Sequence, residues 1–167
     1  STLKGIACSQ IDSLMHVVKR DGSMQPADLA QIQNRIAALA GDLHVDASLV
    51  AQKTIASLVN GMATSELDGI AAKVCMELFT TQSDYERLAT RLTVANLHRE
   101  NQLSFSANVK SLHAANRVTA EFVEFVMENS SVLDVIAEEA RDRDYDLTFF
   151  GLTTLISNKY LLQFENG

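Results

Sequence analysis

Between Leu29 and Glu100 apolar residues return every three or four positions in four successive blocks, and that period narrows the possible folds more than any other feature. In the first block Leu29, Ile32, Ile36, Leu39, Ala40 and Leu43 share one stripe, Asp28 is placed to cap the helix, and Gly41 to stop it. The second block runs from Asp46 to Asn60-Gly61 with Val50, Ile55, Leu58 and Val59 apolar. Its looser phase suits a helix covered on two sides. The third is the cleanest: Thr64 or Ser65 caps it, and Leu67, Ile70, Ala71, Val74, Cys75 and Leu78 form an unbroken stripe. Ser83-Asp84-Tyr85-Glu86 has capping-box spacing and opens a fourth helix through Leu88, Ala89, Leu92, Ala95 and Asn96 to His98-Arg99. Short connections predict antiparallel neighbours in a bundle.

Ahead of the bundle stands Val17-Val18-Lys19-Arg20-Asp21-Gly22. Leu14 to Arg20 reads as a short strand, Asp21-Gly22-Ser23 as a tight turn, and Met24-Gln25 as the returning strand. Pro26, the one proline of the chain, confines that strand to a sheet edge or its end. Two cations therefore sit at the lip of a hairpin. Lys19 and Arg20 are ordinary solvated surface on one reading. On the other they grip phosphate, Arg as a fork and Lys as a point charge.

Thr64 and Asp68 carry a similar pair of readings. A helix cap and a favourable first-turn charge account for them structurally. The same helix N-terminus, with its hydroxyl, could instead hold an anion, a ribose or a base edge. His98-Arg99 at the end of the fourth helix is explained by the helix dipole alone, unless the fold brings Arg99 beside Lys19.

Past Asn101 the texture changes, with a boundary expected near residues 100–104. Helices are expected over Gln102 to Asn116, then after Thr119 with a weak break at Asn129-Ser130. Arg141 to Asp146 is a charged connector, and Leu147 to Leu162 an apolar helix interrupted near Gly151.

A net charge of −7 with 14 scattered cations argues against a nucleic-acid surface, while a local cationic pocket for a small polyanion remains compatible. No apolar run approaches the roughly 20 residues of a membrane span. Ser1 to Gln10 does not read as a secretory leader. Cys8 and Cys75 offer neither a disulfide framework nor zinc spacing, which makes a reducing compartment the default, and Cys75 reads as a core thiol. The four histidines share no metal-ligand spacing, and no glycine-rich phosphate loop is present. No catalytic set emerges.

Several ordered stretches together resemble a known family. Val17-Val18-Lys19-Arg20-Asp21-Gly22, Gly61-Met62-Ala63-Thr64-Ser65-Glu66-Leu67-Asp68, Ser83-Asp84-Tyr85 and Ala95-Asn96-Leu97-His98-Arg99 resemble the ATP-cone. That is the regulatory domain at the N-terminus of the large subunit of class I ribonucleotide reductase. Phe125-Val126-Met127-Glu128-Asn129, Arg141-Asp142-Arg143-Asp144-Tyr145, Phe149-Phe150-Gly151 and Lys159-Tyr160-Leu161-Leu162 resemble the helical segment preceding the reductase barrel. The likeness covers Leu14 to Gln163.

The resemblance implies a mainly α fold: a four-helix bundle capped by a small β-hairpin or sheet, then further helices. It divides the chain into an N-terminal extension (1–13), an ATP-cone-like domain (14–102) and a helical segment (103–167). It implies ATP as activator and dATP as inhibitor, carried with Mg, and a contact set of Val18, Lys19, Arg20, Gln25, Thr64, Asp68 and Arg99. Lys19, Arg20 and Arg99 would face phosphates, Thr64 and Asp68 the nucleoside end. This sequence has Gln25 where many members have Glu, Gln31 where Lys is common, Ala63 for a frequent Thr, and Arg99 where Lys is more frequent.

The family's barrel, radical-carrying cysteine and redox cysteine pair have no counterpart in these residues, so the resemblance implies regulation rather than catalysis by this chain alone. Its expected partners are a nucleotide and other reductase subunits, in the cytoplasm or the mitochondrial matrix. The alternative is a shortened, non-catalytic relative whose degenerate cone, without nucleotide, is a structural subunit of a larger assembly.

Overall fold

A computed structural model describes residues 16–19, 22–158 and 160–161. Arg20, Asp21, the N-terminal extension, Lys159 and Leu162 lie outside the described residues. The described chain is mainly α, with eight α-helices and one small sheet, and falls into two compact units divided between Asn96 and Leu97.

In the first unit β1 (His16–Val18) pairs antiparallel with β2 (Met24–Pro26). The turn between them is closed by Lys19 N–H donating to Ser23 O and Gly22 N–H to Lys19 O, both at 2.9 Å. Gly22 takes φ +80 there, a value that favours glycine. Strand order is β2-β1-β3, which puts Pro26 on an edge strand, where its missing N–H costs no ladder bond.

Helix α1 (Leu29–Ala40) starts on Asp28, whose carboxylate accepts from Gln31 N–H at 2.9 Å, and ends on Gly41 at φ +49. Helix α2 (Ala47–Ala56) starts on Asp46, which accepts from Leu49 N–H at 2.9 Å. It stops at Ala56, short of the Asn60-Gly61 end that its apolar pattern predicts. The difference has a clear cause. Residues 57–61 turn the chain back so that β3 (Met62–Ala63) can run parallel to β1, a third strand the sequence pattern does not announce. Leu58 leaves the helix but still enters the core, while Val59 stays 64% exposed.

Helix α3 (Thr64–Leu78) begins one residue earlier than its sequence signals. Ala63 holds the cap position with extended backbone, because it is still paired in the sheet. Helix α4 (Asp84–Glu100) enters the core, with Leu88, Ala89 and Leu92 fully covered. Tyr85 and Asp84 at its start reach the loop after α1, accepting from Asp46 N–H at 3.2 Å and His44 N–H at 2.9 Å. Arg91 covers the end of α1, donating to the carbonyls of Leu39 and Ala40 and pairing with Asp42 at 2.7 Å. That guanidinium holds the Asp42 carboxyl below the usual carboxylate range. Cys75 is a core thiol with 0% exposure, and burial pushes it up to about 12.

The second unit contains α5 (Phe105–Ala114), α6 (Ala120–Glu128), α7 (Ser130–Ala140), a 3-10 turn (Arg141–Asp146) and α8 (Phe149–Ser157). Ser104, Thr119 and Thr148 each cap a helix with a side-chain oxygen. Gly151 does not interrupt α8: it lies in the first turn and donates to Thr148 Oγ1 at 3.1 Å. Asp134 of α7 accepts from Ser106 N–H at 2.7 Å and from its hydroxyl at 2.8 Å, tying α5 to α7.

Candidate functional site

Most of the candidate residues lie on or next to the sheet and at the start of α3. Three local devices align β3 with β1. Asn60 accepts from His16 N–H through its side chain at 2.8 Å, Gly61 N–H donates to His16 O at 2.8 Å, and Gly61 takes φ +84 to do so. The resulting parallel register pairs Val17 with Met62 and Val18 with Ala63. Beneath it Val17, Ala27, Leu58 and Leu67 form a buried cluster, packed by Leu29, Ile32, Ile55 and Met62.

Because β1 and β3 run parallel, they end at the same side of the sheet. Lys19 follows Val18 and Thr64 follows Ala63, so the two emerge from neighbouring strands about 4.8 Å apart. Lys19 is exposed and Thr64 half-buried. The first N–H groups of any helix lack intrahelical acceptors. Ala63, with only a methyl side chain, cannot cap those of α3, although its own N–H donates to Glu66 Oε2 at 3.2 Å. A cation beside such a helix start suits an anionic group.

Val18 is the strand residue paired to Ala63, and Gln25 sits opposite Val17, half-buried, on β2. Arg20 lies outside the described residues. Arg99 is in the last turn of α4, exposed, and belongs to the second unit, whereas the other described members of the set belong to the first.

Asp68 is 6% exposed, and its partner is a residue that sequence reasoning passes over. Arg35 Nε donates to Asp68 Oδ1 at 2.8 Å and Nη2 to Oδ2 at 2.7 Å. The available signal was positional: Arg35 lies three residues after Ile32 and directly before Ile36, a cation at the margin of an apolar stripe.

The second unit has a cleft of about 550 Å³ lined by His98, Phe105, Asp134, Val135, Arg141 and Asp144 among others. Its polar groups are already engaged. His98 Nε2 meets Asp144 Oδ2 at 2.8 Å with Tyr145 edge-on, and Arg141 donates to His98 O at 3.0 Å. The Ser106 N–H and hydroxyl hold the Asp134 carboxyl below its ordinary range.

Residues 15–100 match the family described as the ATP cone domain. The chain is also 35% identical over 161 residues to the ribonucleoside-diphosphate reductase large chain 2 of Saccharomyces cerevisiae, covering 89% of this chain and 18% of that protein. Identity to the ribonucleoside-diphosphate reductase large subunit of Arabidopsis thaliana is 35% over 163 residues, covering 90% of this chain and 20% of the relative. For the large subunit of Dictyostelium discoideum it is 36% over 160 residues, 86% and 18%. The chain thus spans about a fifth of the length of these relatives.

Proposed function

The chain belongs to the ATP-cone family, and from that membership we propose that it is the allosteric nucleotide-sensing region of a ribonucleoside-diphosphate reductase large subunit. ATP is the activating ligand and dATP the inhibitory one, each carried as its magnesium complex through phosphate oxygens. The cone-like domain, residues 14–102, is the sensor, and residues 103–167 lead toward the rest of the reductase. Lys19 and Arg20 hold phosphates, with Arg99 as a third cation. Thr64 and Asp68 face the nucleoside, and Val18 and Gln25 complete the contact set. The partners are the other reductase subunits.

The observation that carries this reading is the parallel register of Val18 with Ala63. It sets a cationic strand end next to a helix start that lacks a side-chain cap, the arrangement phosphate binding uses. Each charge-assisted contact to a phosphate is worth about 1.5–3 kcal/mol. Losing one weakens binding by roughly tenfold or more.

A second reading, a structural or assembly module that takes no nucleotide, is favoured by one observation: both carboxylate oxygens of Asp68 are already engaged by Arg35. Calorimetric titration of the chain with ATP and dATP separates the two. The sensor reading expects saturable heat with both nucleotides, lost in Lys19→Ala. Absence of heat with either leaves the assembly module.

A further inference from the structure

The Arg35–Asp68 pair joins α1 to α3 across 33 positions of sequence. It is a side-on fork with two hydrogen bonds, and its side chains are 20% and 8% exposed. Asp68 stands four residues after Thr64, one turn on and on the same helix face. Holding Asp68 therefore holds the Thr64 hydroxyl and the first-turn N–H groups as one rigid piece.

Further along α3, Ala71, Ala72, Val74 and Cys75 are buried in the core, but the other contacts of its first turn are short or non-directional. Sheet pairing of β3 extends over only two residues. Packing of Leu67 against Val17, Leu29 and Ile32 is apolar and non-directional. A bidentate guanidinium–carboxylate contact is directional, and lysine cannot reproduce its fork.

We infer that Arg35 is a positioning residue of the nucleotide site, one that holds Asp68 and through it sets the first turn of α3 beside the Lys19 strand end. The inference rests on the nucleotide-sensing reading above. It also removes the apparent conflict over Asp68. An ionised carboxylate offers about four lone-pair sites, and Arg35 uses one on each oxygen. Asp68 keeps the capacity to accept from a ligand hydroxyl or amine while still paired, so the fork orients the acceptor without consuming it.

The test compares Arg35→Gln, Arg35→Lys and Arg91→Gln with the unaltered chain by ATP calorimetry, at a temperature where circular dichroism shows each protein folded. Arg91 anchors the end of α1 to α4 and the Asp42 loop, so its loss controls for simple destabilisation. Positioning by Arg35 expects ATP affinity to fall roughly fivefold or more in Arg35→Gln, within the usual range of coupling between sites. Arg35→Lys should recover only part of that loss, and Arg91→Gln should leave affinity unchanged while lowering the melting temperature. Amide exchange without nucleotide should quicken over residues 64–68 in Arg35→Gln.

Unaltered affinity in folded Arg35→Gln, with the unaltered chain binding normally, overturns the inference and leaves the sensor reading intact. Equal losses in Arg35→Gln and Arg91→Gln overturn it as well, because the effect would then be general softening. Failure of the unaltered chain to bind ATP overturns the sensor reading and the inference together.

Discussion

The two units solve the burial problem differently. In the first, large side chains from every helix are covered: Ile36, Val50, Cys75, Leu88 and Leu92 are at most 2% exposed. In the second, Val109, Val126 and Leu152 are the buried apolar residues among those described, while Phe125, Val132, Ile136 and Phe150 are between 55% and 78% exposed. Its helices are instead organised by directional polar contacts: three side-chain caps, the Asp134–Ser106 tie, and Arg141 on the carbonyl of His98. The contrast separates two sources of order. The first unit derives its stability from a closed apolar core, which is strong and tolerant of direction. The second relies more on hydrogen bonds, which specify geometry but contribute about 1 kcal/mol each.

Deleting core volume should produce the largest effect. Leu88→Ala, at a position with no exposed surface, should destabilise the first unit by about 3–5 kcal/mol. In a Cys8→Ser background, Cys75 reports the result, since a buried thiol raised to about 12 reacts only when its surroundings open. Labelling of Cys75 should be slow in the unaltered core and accelerate by orders of magnitude in Leu88→Ala. Equal labelling rates would erase the distinction drawn between the units.

A cap in the second unit should matter less. Thr148→Ala removes the acceptor for Gly151 N–H and should cost about 1 kcal/mol, read by chemical denaturation of the second unit. Smaller again is the acid response of the α5–α7 tie. Asp134 has a depressed folded value, caused first by the Ser106 N–H. Its contribution is therefore present above the ordinary carboxylate value and is lost as pH falls through the depressed one. The protection of the Ser106 amide, the slowing of its exchange relative to an unstructured chain at the same pH, should fall on acidification below about pH 4, and Asp134→Asn should remove that pH dependence. The smallest effect belongs to Phe150→Ser. At 78% exposure it should change stability by less than about 0.5 kcal/mol, and a larger loss on denaturation would mean that the open face of the second unit is packed after all.

Much of this architecture is legible from residue order. The stripes of α1, α3 and α4, the caps Asp28, Asp46 and Thr119, and the break at Asn129 all depend on residues within four positions of one another, where side-chain chemistry and helical geometry decide the outcome. Several local readings needed correction, and α8 covers only Phe149–Ser157 of the expected Leu147 to Leu162. Helix α2 ends at Ala56 because its last apolar residues lead into a strand, Ala63 rather than Thr64 takes the cap position of α3, and Gly151 sits comfortably in a first turn. In the first two cases the cause is one short strand. Two residues, Met62 and Ala63, carry no alternation that a sequence pattern could reveal.

The periodicity, the caps and the cationic hairpin follow from the sequence itself, because each is a bargain struck between near neighbours along the chain. Tertiary structure decided the parallel pairing that puts Lys19 next to Thr64 and the fork from Arg35 to Asp68. Both join residues more than thirty positions apart. Their geometry exists only after the apolar core has closed around them, and no short-range pattern encodes it.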